Sequence, residues 1–516
     1  MLIHILSAKC VGIDAIPVTV EVDIDRGIGI HLVGLADAAV KESLLRTTTA
    51  LQSLGFRIPG KKIIINLAPA DLKKNGSGYD LPIAIGIIAA SAQMELPRAG
   101  QFLIMGELGL DGSLRKISGA LPIAELAHKK KLGLILPRES ALEALEIPGE
   151  EIYGAESLGD VLHILSGQDC DELLIWNTSE AAAYNMESSP GAGEVLDFAD
   201  IIGQEGAKRG AEIAAAGGHN LLMIGTPGSG KSSLAKAMAG ILPPMTKEEA
   251  LLTSKVYSVS GRSEGRAGLM RQRPFRAPHH SASLAAIIGG GAGENIMPGE
   301  VSLAHNGVLF LDELAQMPRS VIEALRAPLE DRKVGISRLK CKLEFPASFM
   351  LVAASNPCPC GYYGEGERCT CSPTQRQNYL SRLSGPILDR IDLQIWMRPV
   401  DTRKLVEGRK AECSAAVAAR VVKARKIQLE RFAADGIFCN AEMSKREIDR
   451  YCILDGECRA LMESLIGKLG FSARAYTRIL KLARTIADLE GSGEIKTGHL
   501  SEAAGYRFLD KQNLLE

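Results

Sequence analysis

One stretch, residues 221–232, constrains the fold of this chain more than any other. It runs Leu-Leu-Met-Ile-Gly-Thr-Pro-Gly-Ser-Gly-Lys-Ser, an apolar run followed by a glycine-rich turn that ends in lysine and serine. The next segment, residues 233–241, alternates apolar residues with lysine and predicts a helix. A strand, a glycine-rich loop and a helix in this order form the context of a P-loop. The sequence therefore predicts a nucleotide-binding α/β fold.

Each residue type in this loop has a chemical role. Glycines let backbone N–H groups converge on phosphates, and the N-terminus of the following helix adds its positive dipole end. Lys231 can reach the β- and γ-phosphates, and the Ser232 hydroxyl can ligand Mg²⁺. We expect ATP and Mg²⁺ as cofactors, with these nucleotide-binding residues: Gly225, Thr226, Pro227, Gly228, Ser229, Gly230, Lys231, Ser232 and Ser233.

Two later apolar runs predict strands that end in polar side chains at the same site. Residues 307–311 lead into Asp312 and Glu313, and residues 349–354 lead towards Asn356. Ligands in α/β sheets bind at the carboxyl ends of the strands. Asp312 would then hold Mg²⁺, and Glu313 would orient and activate the attacking water. The amide of Asn356 would align that water.

Strands and helices alternate through residues 1–165, which predicts an N-terminal α/β or α+β domain. Its predicted strands are 16–22, 62–67 and 132–136, and its predicted helices are 37–54, 81–93 and 121–131. Residues 166–195 lack periodicity and are rich in small and polar residues, which predicts a linker. A nucleotide-binding core follows over 196–400, with a helix predicted at 205–216. Residues 401–516 predict these helices: 403–434, 447–469, 473–489 and 499–510.

Any surface for nucleic acid must be local, because the formal net charge of the chain is only −1. Residues 331–343 carry cations between β-branched residues and predict a basic hairpin, on which Arg338 and Lys340 could contact a DNA backbone. Residues 261–280 are rich in arginine, and both a phosphate or partner contact and a solvated loop remain open for them. The longest uncharged apolar stretch, 81–92, is too short to span a bilayer, so we expect no membrane partner.

Four of the eleven cysteines, Cys358, Cys360, Cys369 and Cys371, follow the pattern C-x-C-x8-C-x-C. Four thiolates suit tetrahedral zinc. Structural zinc sites usually have two residues between paired cysteines, whereas here there is one. Zinc and a loop of reduced thiols therefore both remain open. Cysteines clustered beside a nucleotide motif favour a reducing cytoplasm over a disulfide framework.

Motifs in the first domain resemble the Lon-protease-like, ribosomal-S5-type fold. They are Asn-Leu-Ala-Pro-Ala-Asp-Leu at 66–72, Gly-Ser-Gly-Tyr-Asp-Leu-Pro-Ile-Ala at 76–84, Gly-Glu-Leu at 106–108 and Gly-Ser-Leu at 112–114. Lon proteases use a Ser–Lys dyad, but the matching positions here hold Gly78 and Arg115, with Ser77 and Lys116 one residue away. A nucleophile needs its base within hydrogen-bond reach. The resemblance therefore implies a binding or assembly domain rather than a peptidase.

Further motifs are similar to the bacterial ComM/YifB family, whose members are magnesium-chelatase-like AAA+ ATPases of the helix-2-insert group. They lie at 273–280 (Arg-Pro-Phe-Arg-Ala-Pro-His-His), 304–307 (Ala-His-Asn-Gly), 356–361 (Asn-Pro-Cys-Pro-Cys-Gly) and 384–392 (Ser-Gly-Pro-Ile-Leu-Asp-Arg-Ile-Asp). The resemblance covers the whole chain. It implies an AAA+ core over 196–400 with a cysteine-rich insertion at 358–371, and a C-terminal helical lid over 401–516. It also implies a hexameric, ATP-driven DNA helicase that promotes branch migration during recombination and natural transformation.

The same resemblance assigns roles to residues outside the P-loop. Arg390 resembles an arginine finger that reaches the site of a neighbouring subunit, so activity would require a ring. Arg474 resembles the lid arginine that touches the γ-phosphate, with Arg478 as a second candidate, and residues 200–204 resemble a segment that packs on adenine. An alternative function is a magnesium-chelatase-like or protein-remodelling motor that does not act on DNA. A non-catalytic regulatory module is disfavoured because every ATPase position is filled.

Overall fold

The computed structural model describes the following residues: 2–35, 37–148, 151–175, 196–263, 268–291, 296–338, 341–383, 385–400, 411–507 and 509. Most of the predicted linker therefore lies outside the described residues. Lys340 and the first ten residues of the predicted lid also lie outside them. For Arg338, only the backbone is described.

The first domain is built on a seven-stranded mixed sheet in the order β3-β4-β2-β1-β5-β8-β9. β1, β2 and β4 pair antiparallel, whereas β5, β8 and β9 extend the sheet parallel to β1. β6 and β7 form a separate small hairpin. The strands are β1 (Ile3–Val11), β2 (Asp14–Asp25), β3 (Gly29–Val33), β4 (Lys62–Ala68), β5 (Phe102–Ile104), β6 (Glu107–Leu108), β7 (Leu114–Arg115), β8 (Gly133–Pro137) and β9 (Ile152–Ala155).

Helices cover this sheet and complete a core of buried aliphatic residues. β4 alternates, so Ile63, Ile65 and Leu67 point into the core. A Cβ on Gly86 would lie 2.5 Å from Cγ2 of Val22, so the second helix needs glycine there to approach the sheet. The helices are α1 (Ala38–Ser53), α2 (Asp80–Ala90), α3 (Ala120–Lys130), α4 (Arg138–Ala141) and α5 (Leu158–Ser166), with 3₁₀ turns at Ala99–Gln101, Leu142–Ala144 and Asp171–Leu173.

The predicted helices and strands of this domain are confirmed, with ends that differ by at most three residues. β1, β3, β5 and β9 were not predicted from the sequence.

The second unit contains a five-stranded parallel sheet in the order β11-β14-β17-β10-β18. β10 lies between β17 and β18 and is buried on both faces, as its unbroken apolar run predicts. Strands of the sheet are β10 (Leu221–Gly225), β11 (Phe275–Arg276), β14 (Val308–Leu311), β17 (Met350–Ser355) and β18 (Leu393–Met397). Two hairpins accompany it: β12 (Gly289–Gly290) with β13 (Met297–Pro298), and β15 (Lys333–Arg338) with β16 (Cys341–Pro346).

Helices flank this sheet on both faces, so the α/β fold class is confirmed. They are α6 (Glu205–Gly217), α7 (Lys231–Met238), α8 (Lys247–Val259), α9 (Leu284–Ile288), α10 (Glu300–Leu303), α11 (Arg319–Ala324), α12 (Arg326–Asp331), α13 (Pro373–Leu380) and α14 (Gly385–Leu388), with 3₁₀ turns at Phe198–Asp200, Ala239–Ile241, Leu314–Gln316 and Gly366–Arg368. The β15–β16 hairpin confirms the hairpin predicted at 331–343.

The last part of the chain is helical and shares a hydrophobic core with one face of the five-stranded sheet. Its helices are α15 (Ser414–Arg431), α16 (Lys445–Tyr451), α17 (Gly456–Leu469), α18 (Ala473–Leu489) and α19 (Thr497–Gly505), with a 3₁₀ turn at Asn440–Glu442. The single helix predicted over 447–469 is wrong. The chain breaks there because Asp455 caps α17, accepting a hydrogen bond of 2.8 Å from the backbone N–H of Cys458.

The first domain is attached to the second by contacts between α3 and α8. Lys255 of α8 is buried and donates hydrogen bonds of 2.7 Å to both Asp14 and Glu125. The backbone N–H of Gly119 donates to the carbonyl of Ser258 at 2.9 Å. Because the two carboxylates compensate the charge of Lys255, the contact between the domains buries no unpaired charge. Among the described helices, none is long and apolar enough to cross a membrane.

Candidate nucleotide-binding and hydrolysis site

The glycine-rich loop joins the carboxyl end of β10 to the first turn of α7. Gly228 and Gly230 have φ angles of +79° and +91°, a left-handed conformation that favours glycine. A Cβ on Gly225 would lie 2.5 Å from the carbonyl oxygen of Met397, so the loop also needs glycine to pass under β18. The backbone is thereby folded into the concave turn that a phosphate requires.

Lys231 begins α7 and is buried inside this loop. Its Nζ donates hydrogen bonds to the carbonyls of Gly225 at 2.7 Å and Thr226 at 3.0 Å, and to Oδ1 of Asn356 at 3.3 Å. Burial lowers the pKa of Lys231, while the Asp312 carboxylate opposes that shift. A buried ammonium group of this kind is poised to be stabilised by the negative charge of a phosphate.

Asp312 and Glu313 follow the carboxyl end of β14. Oδ2 of Asp312 accepts a hydrogen bond of 2.9 Å from the Ser232 hydroxyl, and its Oδ1 accepts one of 2.9 Å from the N–H of Glu313. Glu313 has a φ of +52°, unusual for a residue with a side chain, and this holds its half-buried carboxylate beside the loop. Nδ1 of His280 lies 3.5 Å from Oε2 of Glu313.

Asn356 directly follows β17, and Tyr379 reaches the same region from α13. Burial raises the pKa of Tyr379, and the Glu313 carboxylate adds to that shift. Neither Tyr379 nor His280 was assigned to the site from the sequence. His280 belongs to a motif with no spacing typical of catalysis, and Tyr379 is one aromatic residue on a short helix. The structure thus brings Lys231, Ser232, Asp312, Glu313 and Asn356 to the carboxyl ends of three adjacent strands.

The loop has the polar groups that a nucleoside triphosphate with Mg²⁺ would use. The hydroxyl oxygens of Thr226 and Ser229 are buried and have no hydrogen-bond partner among the described residues. Such orphaned groups are costly unless a ligand satisfies them. Nε2 of Gln204 donates to the carbonyls of Ser229 at 3.0 Å and Arg398 at 2.6 Å, so the segment before α6 lies against the loop. The residues present therefore fit phosphates, and Ser232 with Asp312 fits a magnesium ion.

Arg390 lies near the amino ends of the strands, whereas the P-loop lies at their carboxyl ends. Its backbone carbonyl accepts a hydrogen bond of 2.8 Å from Nδ2 of Asn220, the residue before β10. A strand of five residues separates Asn220 from the P-loop, a length of roughly 16 Å. The Arg390 side chain pairs with Glu330 and donates to the carbonyl of Pro386 at 2.8 Å. The structure therefore does not bring Arg390 to the P-loop of its own chain.

Arg474 and Arg478 on α18 also lie near the amino ends of the strands, close to Arg390. The exposed Arg474 lies 2.5 Å from Oδ2 of Asp389, and Arg478 pairs with the buried Asp392. Burial by itself would raise the pKa of Asp392, but the Arg478 guanidinium and the His219 ring outweigh it and hold that pKa well below its usual range. Neither α18 arginine lies at the P-loop of its own chain.

Four cysteine sulfurs come together in the insertion that follows Asn356. The Sγ atoms of Cys358, Cys360, Cys369 and Cys371 all lie within 4.8 Å of one another. Burial raises the pKa of the Cys358 thiol to about 12, whereas the N–H of Tyr362 lowers that of Cys360 to about 6. One thiol is therefore already disposed to ionise, as a metal ligand must.

The arginine-rich segment at 261–280 forms ion pairs inside the chain rather than an open cationic surface. The arginines described there pair as follows: Arg262 and Arg276 with Glu300, Arg271 with Glu146, and Arg273 with Glu249. Arg266 lies outside the described residues. The motif at 304–307 is also structural, because a Cβ on Gly307 would lie 2.0 Å from the carbonyl of Pro274. For the described arginines, a phosphate contact is thus the weaker interpretation.

The β15–β16 hairpin is less basic than its sequence suggests. Arg332 pairs with Glu442 of the helical part, and Lys333 lies 3.8 Å from Glu344 on the facing strand. Arg338 is the last residue of β15, and Lys340 lies outside the described residues. Of the two DNA candidates, only the backbone of Arg338 is therefore located, at the end of β15.

The first domain does not assemble a Ser–Lys dyad from the two residues considered. Ser77 donates its hydroxyl hydrogen to Glu107, and Nζ of Lys116 donates to the Ser263 hydroxyl at 3.0 Å. A Cβ on Gly78 would lie 2.8 Å from Cε of Met105, so an apolar side chain occupies the space beside the nucleophile position. This arrangement supports the interpretation of a non-peptidase domain.

Three family models match successive parts of the chain. The model described as "Magnesium chelatase, subunit ChlI" matches residues 197–405. "Subunit ChlI of Mg-chelatase" matches 20–140, and "Magnesium chelatase, subunit ChlI C-terminal" matches 411–507. The first of these matches contains every residue at the P-loop edge described above.

Relatives match over nearly the full length. The chain is 46% identical over 507 residues to the competence protein ComM of Haemophilus influenzae, covering 98% of this chain and 97% of that protein. It is 44% identical over 505 residues to YifB of Escherichia coli, covering 97% and 96%. The magnesium-chelatase 67 kDa subunit of Chlorobaculum parvum is 29% identical over 168 residues, only 32% of this chain and 24% of that protein.

Proposed function

Because this chain belongs to the ComM/YifB family of magnesium-chelatase-like AAA+ ATPases, we propose that it is an ATP-driven motor that acts on DNA. The specific activity proposed is that of a ring helicase or branch-migration factor in recombination or natural transformation. The observation that carries the ATPase part is the cluster of Lys231, Ser232, Asp312, Glu313 and Asn356 at one edge of the parallel sheet.

In this proposal each of the five residues has its own role in the in-line attack of water on the γ-phosphate. Lys231 donates to the phosphate oxygens and offsets their charge, while Ser232 and Asp312 hold Mg²⁺. The ion, when bound, neutralises charge that develops on the transferred phosphoryl group. Glu313 accepts the proton of the attacking water, and the Asn356 amide keeps that water in line. The buried hydroxyls of Thr226 and Ser229, which have no partner among the described residues, would also bond to the phosphates.

The arginines at the opposite edge require a second subunit in this proposal. Arg390 and Arg474 are about one strand length from their own P-loop, so each could reach a nucleotide only across a subunit boundary. AAA+ proteins of this family usually form oligomers, and we propose a hexamer. The present partners of the two arginines, Glu330 and Asp389, would be exchanged for phosphate when the ring forms.

The lengths of the sequence matches favour DNA over a chelatase substrate. The match to a protein named for competence, the uptake of DNA by cells, covers 98% of this chain, whereas the match to the 67 kDa chelatase subunit covers 32%. We propose that Arg338 and Lys340 contact the DNA backbone from the tip of the β15–β16 hairpin. Backbone contacts are independent of sequence, which suits a translocating motor.

The remaining parts have proposed roles that follow from their contacts. The Lon-like domain would assemble or bind, since Ser77 and Lys116 each bond elsewhere. The cluster of Cys358, Cys360, Cys369 and Cys371 would hold one zinc ion, in a cytoplasm that keeps these thiols reduced. Residues 401–516 would act as the helical lid.

Processing of a labelled four-way DNA junction tests the proposal. Wild-type protein with ATP and Mg²⁺ should convert the junction into duplex products. The Lys231→Ala variant should bind nucleotide weakly and leave the junction intact. If wild-type protein hydrolyses ATP but neither binds nor remodels any junction or fork, while a protein or metal-chelate partner raises its ATPase rate, the chelatase-like alternative replaces the DNA motor.

A further inference from the structure

We propose that the cysteine loop, defined here as residues 357–372, is a zinc-held brace that positions Asn356 and the P-loop for hydrolysis. Metal in this loop would then determine how fast bound ATP is hydrolysed, and affect nucleotide binding much less. The proposal rests on the proposed ATPase function and adds a regulated dependence on metal to it. Four observations lead to it: the sulfur geometry and three separate contacts between the loop and the nucleotide site.

The sulfur geometry matches a tetrahedral metal. Zinc bound by four thiolates at about 2.3 Å places the sulfurs at the corners of a tetrahedron with edges of about 3.8 Å. The observed Sγ separations are 3.3 Å for Cys358–Cys360, 3.8 Å for Cys358–Cys369 and 3.7 Å for Cys360–Cys369. A disulfide would need about 2.05 Å between two sulfurs, so this cluster is not a disulfide pair. The one-residue gap between cysteines therefore does not prevent four-sulfur coordination.

The first contact joins the loop to the P-loop itself. Gly361 has a φ of +87°, and a Cβ at this position would lie 3.0 Å from the ring of Pro227. Its N–H donates to the carbonyl of Cys358 at 3.0 Å, so the turn that carries two of the sulfurs lies directly against the glycine-rich loop. Cys358 is fully buried and only two residues from Asn356. A shift of this turn would therefore move both Asn356 and the glycine-rich loop.

The second contact joins the loop to β18. The ring of Tyr363 packs edge-on against Trp396 with centroids 6.3 Å apart, and the guanidinium of Arg376 lies over the Tyr363 ring, 4.4 Å from its centroid. Trp396 pairs with Ile224 in the sheet, next to the strand end from which the P-loop departs. The loop is thus supported by the strand that lines the P-loop on one side.

The third contact runs through α13, which starts directly after the last cysteine. Ser372 caps this helix, its hydroxyl accepting a hydrogen bond of 3.2 Å from the N–H of Gln375. The helix ends near Tyr379, whose pKa is raised by burial and by the Glu313 carboxylate. The cysteine loop therefore leads directly into the helix that carries Tyr379, a buried residue close enough to Glu313 for the two groups to interact electrostatically.

The loop has little regular structure or buried surface of its own. Of the four cysteines only Cys358 is buried, and the single helical turn inside the loop is Gly366–Arg368. Without a bound metal, the loop has little buried apolar surface to offset the entropy of ordering its residues. We therefore expect metal loss to release the loop, displace Asn356 and slow the hydrolytic step, while Lys231 and the glycine turn still hold nucleotide.

Zinc content and steady-state kinetics test this in the full-length protein. Wild-type protein purified without added metal should contain close to one zinc per chain. The double variant Cys369→Ser with Cys371→Ser should contain none, lose at least about tenfold in kcat and change nucleotide Kd little, since a displaced Asn356 weakens the transition state more than binding. Cys413→Ser, at an exposed cysteine elsewhere, is the matched control and should behave as wild type. Wild-type protein without zinc, or a zinc-free variant with wild-type kcat, would overturn the proposal.

A second variant keeps the ligands and changes only the contact with the P-loop. Gly361→Ala should retain zinc, and Co²⁺ substituted for zinc should give the absorption of tetrahedral thiolate in this variant and in wild type. Its kcat should nevertheless fall, because the new methyl group presses on Pro227. Unchanged kcat with metal in place would contradict the brace, even if the cysteine variant fails to fold. Zinc in a wild-type protein that hydrolyses no ATP would instead contradict the proposed ATPase and leave the metal assignment standing.

Discussion

The Ser232 hydroxyl donates a hydrogen bond of 2.9 Å to Oδ2 of Asp312. Ser232 lies in the first turn of α7 and Asp312 directly follows β14, so the contact joins the phosphate-binding loop to the acidic strand end. Both oxygens are ligands that Mg²⁺ prefers, and they meet where the γ-phosphate of a nucleotide on Lys231 would be expected. The two oxygens of the proposed magnesium site are therefore already next to each other in the protein.

Glu313→Gln is expected to separate nucleotide binding from hydrolysis. The amide keeps the size of the side chain but cannot accept a proton from water, so kcat should fall by about 10²–10⁴-fold with nucleotide Kd nearly unchanged. Glu463→Gln, at an exposed glutamate of α17, is the control and should leave both values unchanged. A Glu313→Gln protein that hydrolyses ATP at the wild-type rate would show that another group is the base.

Arg390→Ala should bind nucleotide normally and lose hydrolysis, because in the proposed ring its guanidinium acts in a neighbouring site. A mixing experiment tests this directly. Lys231→Ala subunits have a defective P-loop but an intact Arg390, so mixed rings should recover part of the activity that both variants lack alone. The loss expected from a missing arginine finger is about 10³–10⁵-fold. Undiminished activity of Arg390→Ala, or failure of every mixture to recover activity, would contradict action between subunits.

Asp392 should stabilise the fold in a pH-dependent way. It is buried, accepts a hydrogen bond of 3.1 Å from the N–H of Asn220 and pairs with Arg478, and its pKa in the folded state lies well below the usual range. Its stabilising effect should be present above about pH 4, the ordinary aspartate pKa, and should be lost as the pH falls through the lower, folded-state pKa.

Chemical denaturation of Asp392→Asn measures this effect. At pH 7 the variant should lose roughly 3 kcal/mol of unfolding free energy, because Arg478 is left without its charged partner. The difference from wild type should shrink steadily below about pH 4. Asp331→Asn, at an exposed aspartate, should show no difference at any pH. A constant difference between pH 7 and pH 3 would mean that charge on Asp392 is not the cause.

The double variant Arg338→Ala with Lys340→Ala should lose junction remodelling and keep its basal ATPase. Removing these cations should also make DNA binding less sensitive to salt, by about 0.9 in the slope of log K against log salt for each phosphate that is no longer neutralised. Arg446→Ala with Lys468→Ala removes the same charge from exposed positions of α16 and α17 and is the control. Wild-type behaviour of the hairpin variant on forks and junctions would identify these cations as ordinary surface charge.

The nucleotide site could be predicted from sequence because its residues lie in short motifs. The strand before each motif is also recognisable from the neighbouring residues. The helix at 473–489 was predicted to the residue, since its periodicity is strong. Pairing partners distant in the chain gave no such signal. β1 and β18 were missed, and the arginines at 261–280 could not be paired with Glu146, Glu249 or Glu300 before the fold was known. The contact between Gly361 and Pro227 was hidden for the same reason.

The most direct test of the central claim is the ATPase rate of purified wild-type protein with and without branched DNA. Hydrolysis should depend on Mg²⁺, rise on addition of the DNA, and lose that stimulation as salt is raised, because the proposed contacts are to phosphates. Lys231→Ala should show neither basal nor stimulated hydrolysis. An ATPase rate that no forked or branched DNA changes, but that a protein or metal-chelate partner increases, would contradict the account.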